Sequence, residues 1–122
     1  MKMKNSLHKI GVFRQVYNNT LGASLPLLDI YQDDGLFIHI QQRHPNCLKY
    51  LPQIQNILKS PDYIGSNPKE PNSIKLIKNI GDNIQIAIKL DSANGYYYIA
   101  TLHEVSNVKI NSRLNNGRLK KF

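Results

Sequence analysis

Between residues 73 and 105 the chain carries three strand-length apolar runs, joined by turns that allow only an antiparallel return. In the middle run Ile84, Ile86, Ile88 and Leu90 alternate with Gln85, Ala87, Lys89 and Asp91. That period of two marks a strand with one buried face. Gly81-Asp82-Asn83 stands before it and Ser92-Ala93-Asn94-Gly95 after it. Residues 73–80, 83–91 and 96–105 are therefore predicted to form a meander of at least three strands. The isoleucine side should meet the core. The side with Gln85, Lys89, Tyr97, Thr101 and His103 should be at least partly wet, with Tyr96 and Tyr98 turned inward.

Helical spacing precedes the meander. Leu36, His39, Ile40 and Arg43 fall at i, i+3, i+4 and i+7, which predicts a helix over 36–44. Asp33 or Asp34 would cap it and Pro45 end it. A second helix is predicted from Leu48 or Pro52 to Lys59, stopped by Pro61. The first 35 residues are less legible: 9–17 reads as a strand or short helix, 27–31 as a strand or helical turn. Residues 66–72, with Pro68 and Pro71, read as a polar loop. Helices followed by a meander make an α+β domain, with helices packed on one face of a small twisted sheet. At 122 residues the chain has the length of one domain.

The charge balance narrows the partners. Sixteen Lys/Arg against eight Asp/Glu give a net charge of +8, which favours nucleic acid, an anionic membrane or an acidic protein. The acids are scattered, whereas residues 109–122 hold Lys109, Arg113, Arg118, Lys120 and Lys121 and no acid. Lys2, Lys4 and Lys9 add charge at the other end. The basic end reads either as a solvated tail or as a contact surface. Leu114, Leu119 and Phe122 interleave it, and Asn115-Asn116-Gly117 signals a turn. A short hairpin or strand cap holding Arg113 near Arg118 is the ordered alternative. No apolar run approaches the roughly 20 residues of a membrane span, and no apolar core follows the basic start as in a signal peptide. With no basic amphipathic helix either, no membrane partner is expected, and the location is expected to be cytoplasmic. The single Cys47 can form neither an internal disulfide nor a multi-cysteine metal site, and reads as structural.

The remaining chemistry lies with His, Arg, Lys, Thr and Tyr. On a helix His39 and Arg43 share a face, offering an imidazole that moves a proton beside a guanidinium that holds a phosphate. Equally, they read as a helix-edge residue and a surface charge. His44 is turned roughly 140° from His39 on an ideal helix, and is either a helix-end residue or a catalyst. Lys89 either neutralises a phosphate or solvates its strand. Tyr97 either stacks a base or merely suits a strand. No His-Glu-x-x-His or related spacing suggests zinc, no Gly-rich loop suggests a nucleotide cofactor, and the acids are too spread for a two-metal centre. No metal and no cofactor are therefore expected. A ribonuclease using the substrate's own 2′-OH needs such a set, with one group to take the 2′ proton, one to protonate the leaving 5′-oxygen, and cations for the phosphorane.

The segment Ile-His-Ile-Gln-Gln-Arg-His-Pro, residues 38–45, resembles the helix motif of phage-associated nucleases of the barnase/EndoU/colicin/RelE superfamily. The resemblance continues through Ile57-Leu58, Pro61 to Gly65, Asn67-Pro68-Lys69, Ser73-Ile74, Ile88 to Asp91 and Gly95 to Thr101, and ends in Arg113-Leu114 and Gly117 to Lys120. It spans about residues 35–122, leaving 1–34 as an N-terminal extension packed on a nuclease-like domain. It implies an α+β fold with a four-stranded antiparallel sheet, and a toxin-like, metal-independent RNase checked by an immunity or antitoxin protein. By position it implies His39, Arg43 and His44 as the helix part of the site, Lys89 and Thr101 as the strand part, and Arg113 as the C-terminal part. His103, Arg118 and Lys120 join Tyr97 as candidate RNA contacts, and whether His103 is catalytic stays open. The alternative is a non-catalytic RNA- or DNA-binding or protein-interaction domain with the same basic surface.

Overall fold

The computed structural model describes residues 7–122; Lys2 and Lys4 lie outside them. In chain order the elements are β1 (Leu7–Val12), α1 (Gln15–Leu21), β2 (Asp29–Asp33), α2 (Gly35–Arg43), a 3-10 helix (Pro45–Gln53), α3 (Ile54–Lys59), β3 (Tyr63–Asn67), β4 (Glu70–Asn79), β5 (Asn83–Asp91), β6 (Tyr96–Glu104), α4 (Asn107–Asn115) and β7 (Leu119–Lys121). The described strands form one seven-stranded sheet in the order β1-β2-β6-β5-β4-β3-β7. It is mixed, since β2 runs parallel to β6 while the other pairs are antiparallel.

The α+β class and the meander β4-β5-β6 stand as expected. The sheet, however, exceeds four strands. Two of the additional strands, β1 and β2, come from the stretch expected to be an extension. Phe13, Tyr17 and Ile30 from that stretch are fully buried in one cluster with Ile40, Ile54, Ile57, Ile86 and Leu102. At α3, the Arg14 guanidinium donates to the Leu58 and Lys59 carbonyls at 2.8 Å each, and the Tyr17 hydroxyl donates to Leu58. These are last-turn carbonyls that a helix leaves unsatisfied, so the N-terminal stretch closes the end of α3.

Helices cover both faces, not one. The main cluster takes α1, α2 and α3 together with Ile84, Ile86 and Ile88. On the opposite face Ile110 of α4 packs with Ile77, Val105 and Leu119. The turn expected around Asn115-Asn116-Gly117, as a short hairpin or strand cap, is the end of this helix leading into β7, and it does bring Arg113 and Arg118 together. Ser106 caps its start, its Oγ accepting from Lys109 N at 3.1 Å. At its end Gly117 takes φ +81°, Gly117 N donates to Leu114 O, and Arg118 N donates to Arg113 O at 2.9 Å. That pair of bonds is a Schellman motif, which needs a residue tolerant of positive φ. An Asn-Gly pair signals a hairpin and a helix stop alike; here Ile110 and Leu114, four apart, decide for the helix.

Beyond α4 the chain pairs with β3, which replaces the start of the expected polar loop. Gly65 makes this pairing possible: a Cβ there would stand 2.1 Å from the Arg118 carbonyl oxygen.

Candidate active site

The α4-facing side of the sheet is a lattice set by register. His103 pairs with Gln85, which pairs with Ile77; Thr101 pairs with Ala87, which pairs with Lys75; Tyr98 pairs with Lys89, which pairs with Ser73. This lattice corrects the tyrosine assignment. Between Ala87 and Ile88 the register with β6 slips by one residue, leaving Ala100 as the extra residue of a bulge. A bulge inverts the alternation beyond it. Tyr97 is therefore fully buried, stacked on Phe13 at 4.6 Å, with its hydroxyl donating to Pro26 O at 2.7 Å. Burial pushes its pKa up to about 12. It is not the outward base-stacking residue the alternation predicts; Tyr98, beside Lys89, occupies that face.

Along β6 the parallel partner β2 pairs only at Tyr97 and Tyr98. Beyond them α2 lies alongside β6, sending Leu36 and Ile40 into the core. Asp33 Oδ1 accepts from Gly35 N at 2.5 Å at its start. His39 Nε2 then lies 3.1 Å from Thr101 Oγ1, a hydrogen bond joining the helix and strand parts of the predicted site. Helical geometry would turn His44 away, but α2 ends at Arg43 and His44 takes φ −142°, ψ 58°. Pro45 disfavours the helical conformation at the residue before it. Released from the helix, the His44 ring lies 6.3 Å from that of His39 and 5.2 Å from that of His103. Arg43, His44 and His103, with Cys47 and Glu104, line a hollow of about 300 Å³.

Partial burial lowers the pKa of His44, and coulombic interaction with His103, His39 and Arg43 lowers it further. His103 is tied to α4 through Gln85. Arg113 Nη1 donates to Gln85 Oε1 at 2.7 Å. Arginine only donates, so the amide NH2 of Gln85 faces His103 Nε2, at 3.3 Å. That nitrogen must accept, and His103 Nδ1 must carry the proton it gives to Glu104 O at 3.1 Å. Both ring nitrogens of His103 are thereby engaged, Nε2 as acceptor and Nδ1 as donor. It stands beside His44, the two rings 5.2 Å apart.

The other predicted residues divide. Lys89 lies in the row next to Thr101 and makes no hydrogen bond or ion pair among the described residues. Arg113 reaches the site through Gln85, which is only 2% exposed rather than wet. Arg118 lines a cavity with Arg113. Lys120 is not brought to the site: it pairs with Ile64, whose side chain belongs to the opposite, main-cluster face. Lys75, Gln85 and Tyr98 were missed. Counting back from the Gly81-Asp82 turn would have set Lys75 opposite Ala87; nothing local announced the bulge that selects Tyr98.

Residues 8–112 match the model of the family described as phage-Barnase-EndoU-ColicinE5/D-RelE like nuclease 3. The chain belongs to this nuclease family. The match begins inside β1, well before residue 35, and stops one residue short of Arg113. Comparison with the curated proteins and with the solved structures returned no match. Among the described residues of this nuclease, no three His, Cys, Asp or Glu side chains are grouped to hold a metal ion. No helix among them is long and apolar enough to cross a membrane.

Proposed function

We propose that this nuclease is a toxin-like endoribonuclease that cleaves RNA without a metal, by attack of the 2′-OH on the adjacent phosphate. The observation that carries this reading is the convergence of His39, His44 and Thr101 beside Arg43 and Lys89. His44, held below the usual histidine range, is unprotonated near neutral pH and takes the 2′ proton. The 2′-oxygen bonds to phosphorus, the bond to the 5′-oxygen breaks, and His39 gives that oxygen a proton. The products are a 2′,3′-cyclic phosphate and a 5′-hydroxyl. Arg43 and Lys89 stabilise charge on the phosphorane as it builds, and Thr101 orients His39.

The net charge of +8 supports a polyanionic substrate, and would equally serve an acidic immunity or antitoxin protein that closes the site. The proposed place of action is the cytoplasm of the producing or the attacked cell. The test is incubation of the purified protein with total RNA and with single-stranded DNA in EDTA. RNA cleavage leaving 2′,3′-cyclic phosphate ends is expected. His39→Ala should lower it by about two to four orders of magnitude, the usual worth of a positioned acid or base, without loss of the folded circular-dichroism spectrum. RNA bound but intact, or cleavage only with a divalent ion, would overturn the reading.

A further inference from the structure

Outside the His39 and His44 site, a second concavity of about 270 Å³ lies between α4 and the β3-β4-β7 edge. Lys75, Lys109, Arg113 and Arg118 line it, and among its described lining residues there is no carboxylate. One counter-charge stands nearby, Glu70, whose carboxylate meets Lys75 Nζ at 3.0 Å. Arg113 gives one of its N–H groups to Gln85, which leaves most of its donors unspent. The two amides of the wall are biased the same way. Asn67 Oδ1 accepts from Lys69 N and Asn116 Oδ1 from Arg118 N, each at 3.0 Å. Their acceptor atoms are thus engaged with backbone and their NH2 groups remain as donors. A concavity walled by cations and donors recognises an anion with several acceptor oxygens.

The sheet connects this cavity to the site. One row runs from Thr101 through Ala87, Lys75 and Gly65 to Leu119. Thr101 bonds His39 at one end, while Lys75 and Leu119 line the cavity at the other. Lys75 lies two strand spacings from Thr101, about 10 Å, and its Nζ is held by Glu70 and Ser73 at the cavity end. Arg113, Asn116, Arg118 and Leu119 lie beyond the residues matched to the nuclease family.

We infer that this cavity is a second phosphate subsite, holding a phosphodiester of the bound strand next to, and distinct from, the one being cut. The inference rests on the ribonuclease reading for its substrate, and its test separates the two. A dinucleoside monophosphate contains only the scissile phosphate. Adding a phosphate at its 5′ or 3′ end should raise kcat/KM for the wild type by roughly ten- to hundred-fold at one of the two ends, as expected for charge-assisted hydrogen bonds. Lys109→Glu should bring that ratio to about one. In the uncut His39→Ala protein, Lys109→Ala should reduce the salt dependence of RNA binding by a slope of about 0.7. Equal rates with and without the added phosphate at both ends, or a ratio untouched by Lys109→Glu, would overturn the subsite. If no RNA is cleaved at all, titration with inorganic pyrophosphate followed by amide NMR decides separately. Shifts at Lys109, Gly117 and Arg118, lost in Lys109→Glu, keep the subsite while the ribonuclease reading falls; silence at those amides removes the subsite.

Discussion

Replacing Gln85 tests the link between α4 and the histidines. Its amide is 2% exposed and joins Arg113 Nη1 at 2.7 Å to His103 Nε2 at 3.3 Å. Gln85→Leu keeps the volume but removes both bonds. The bond to a guanidinium is worth about 1.5–3 kcal/mol, and the longer neutral one about 0.5 kcal/mol. Leucine returns about 1 kcal/mol through apolar contact with the neighbouring Ile77. The expected net loss is about 1–2.5 kcal/mol, or roughly 4–10 °C in Tm for a chain of this size. Gln85→Glu separates the two bonds. A carboxylate keeps Arg113 but offers His103 only acceptors, so Nε2 must then carry a proton. The imidazole 15N shifts read this directly. The wild type should show His103 protonated at Nδ1 only, and Gln85→Glu should show a protonated Nε2. A His103 protonated at Nε2 in the wild type, or a Gln85→Leu protein as stable as wild type, would refute the relay.

Further outcomes follow from the site and its scaffold. Because the folded-state pKa of His44 lies below 6.5, its proton is disfavoured by folding. The stability it permits is present above pH 6.5 and is lost as pH falls through 6.5 toward the folded value. His44→Gln should flatten that acid loss in denaturant titrations, and in cleavage assays should abolish the limb of the pH profile that falls below 6.5. Gly65→Ala places a Cβ against the Arg118 carbonyl; β7 should be displaced, read as faster hydrogen exchange across residues 119–121 and loss of the subsite. Tyr98→Ala should weaken RNA binding by about 1–3 kcal/mol, the worth of one stacked base. Tyr97→Phe should leave binding intact and cost about 1 kcal/mol of stability through the bond to Pro26.

How much was legible follows from how local each signal is. The meander, α2 and the pairing of His39 with Arg43 depend on periodicity within one element, and the sequence carries that periodicity openly. β1 and β2 were obscure because their signal is short and their strand identity comes from pairing with each other and with β6. The Asn-Gly at 116–117 reads as a hairpin or a strand cap as easily as a helix stop, because the left-handed glycine it supplies serves each of these turns; Ile110 settles the matter only once Ile77 is there to receive it.

The sequence by itself determined that one face of β5 is core and that α2 ends before Pro45. It likewise placed the acid-free cluster of cations at the C-terminal end. Each is a matter of spacing, proline chemistry or charge, and needs no partner to be read. Only the tertiary structure decided that Tyr97 faces inward, that His44 rejoins His39, and that Gln85 joins Arg113 to His103. Alternation predicts which residues share a face only while the register holds, and a single extra residue at Ala100 reverses it. That bulge, like the crossing of α4 over the sheet, comes from contacts between elements far apart in the chain, where no local pattern records them.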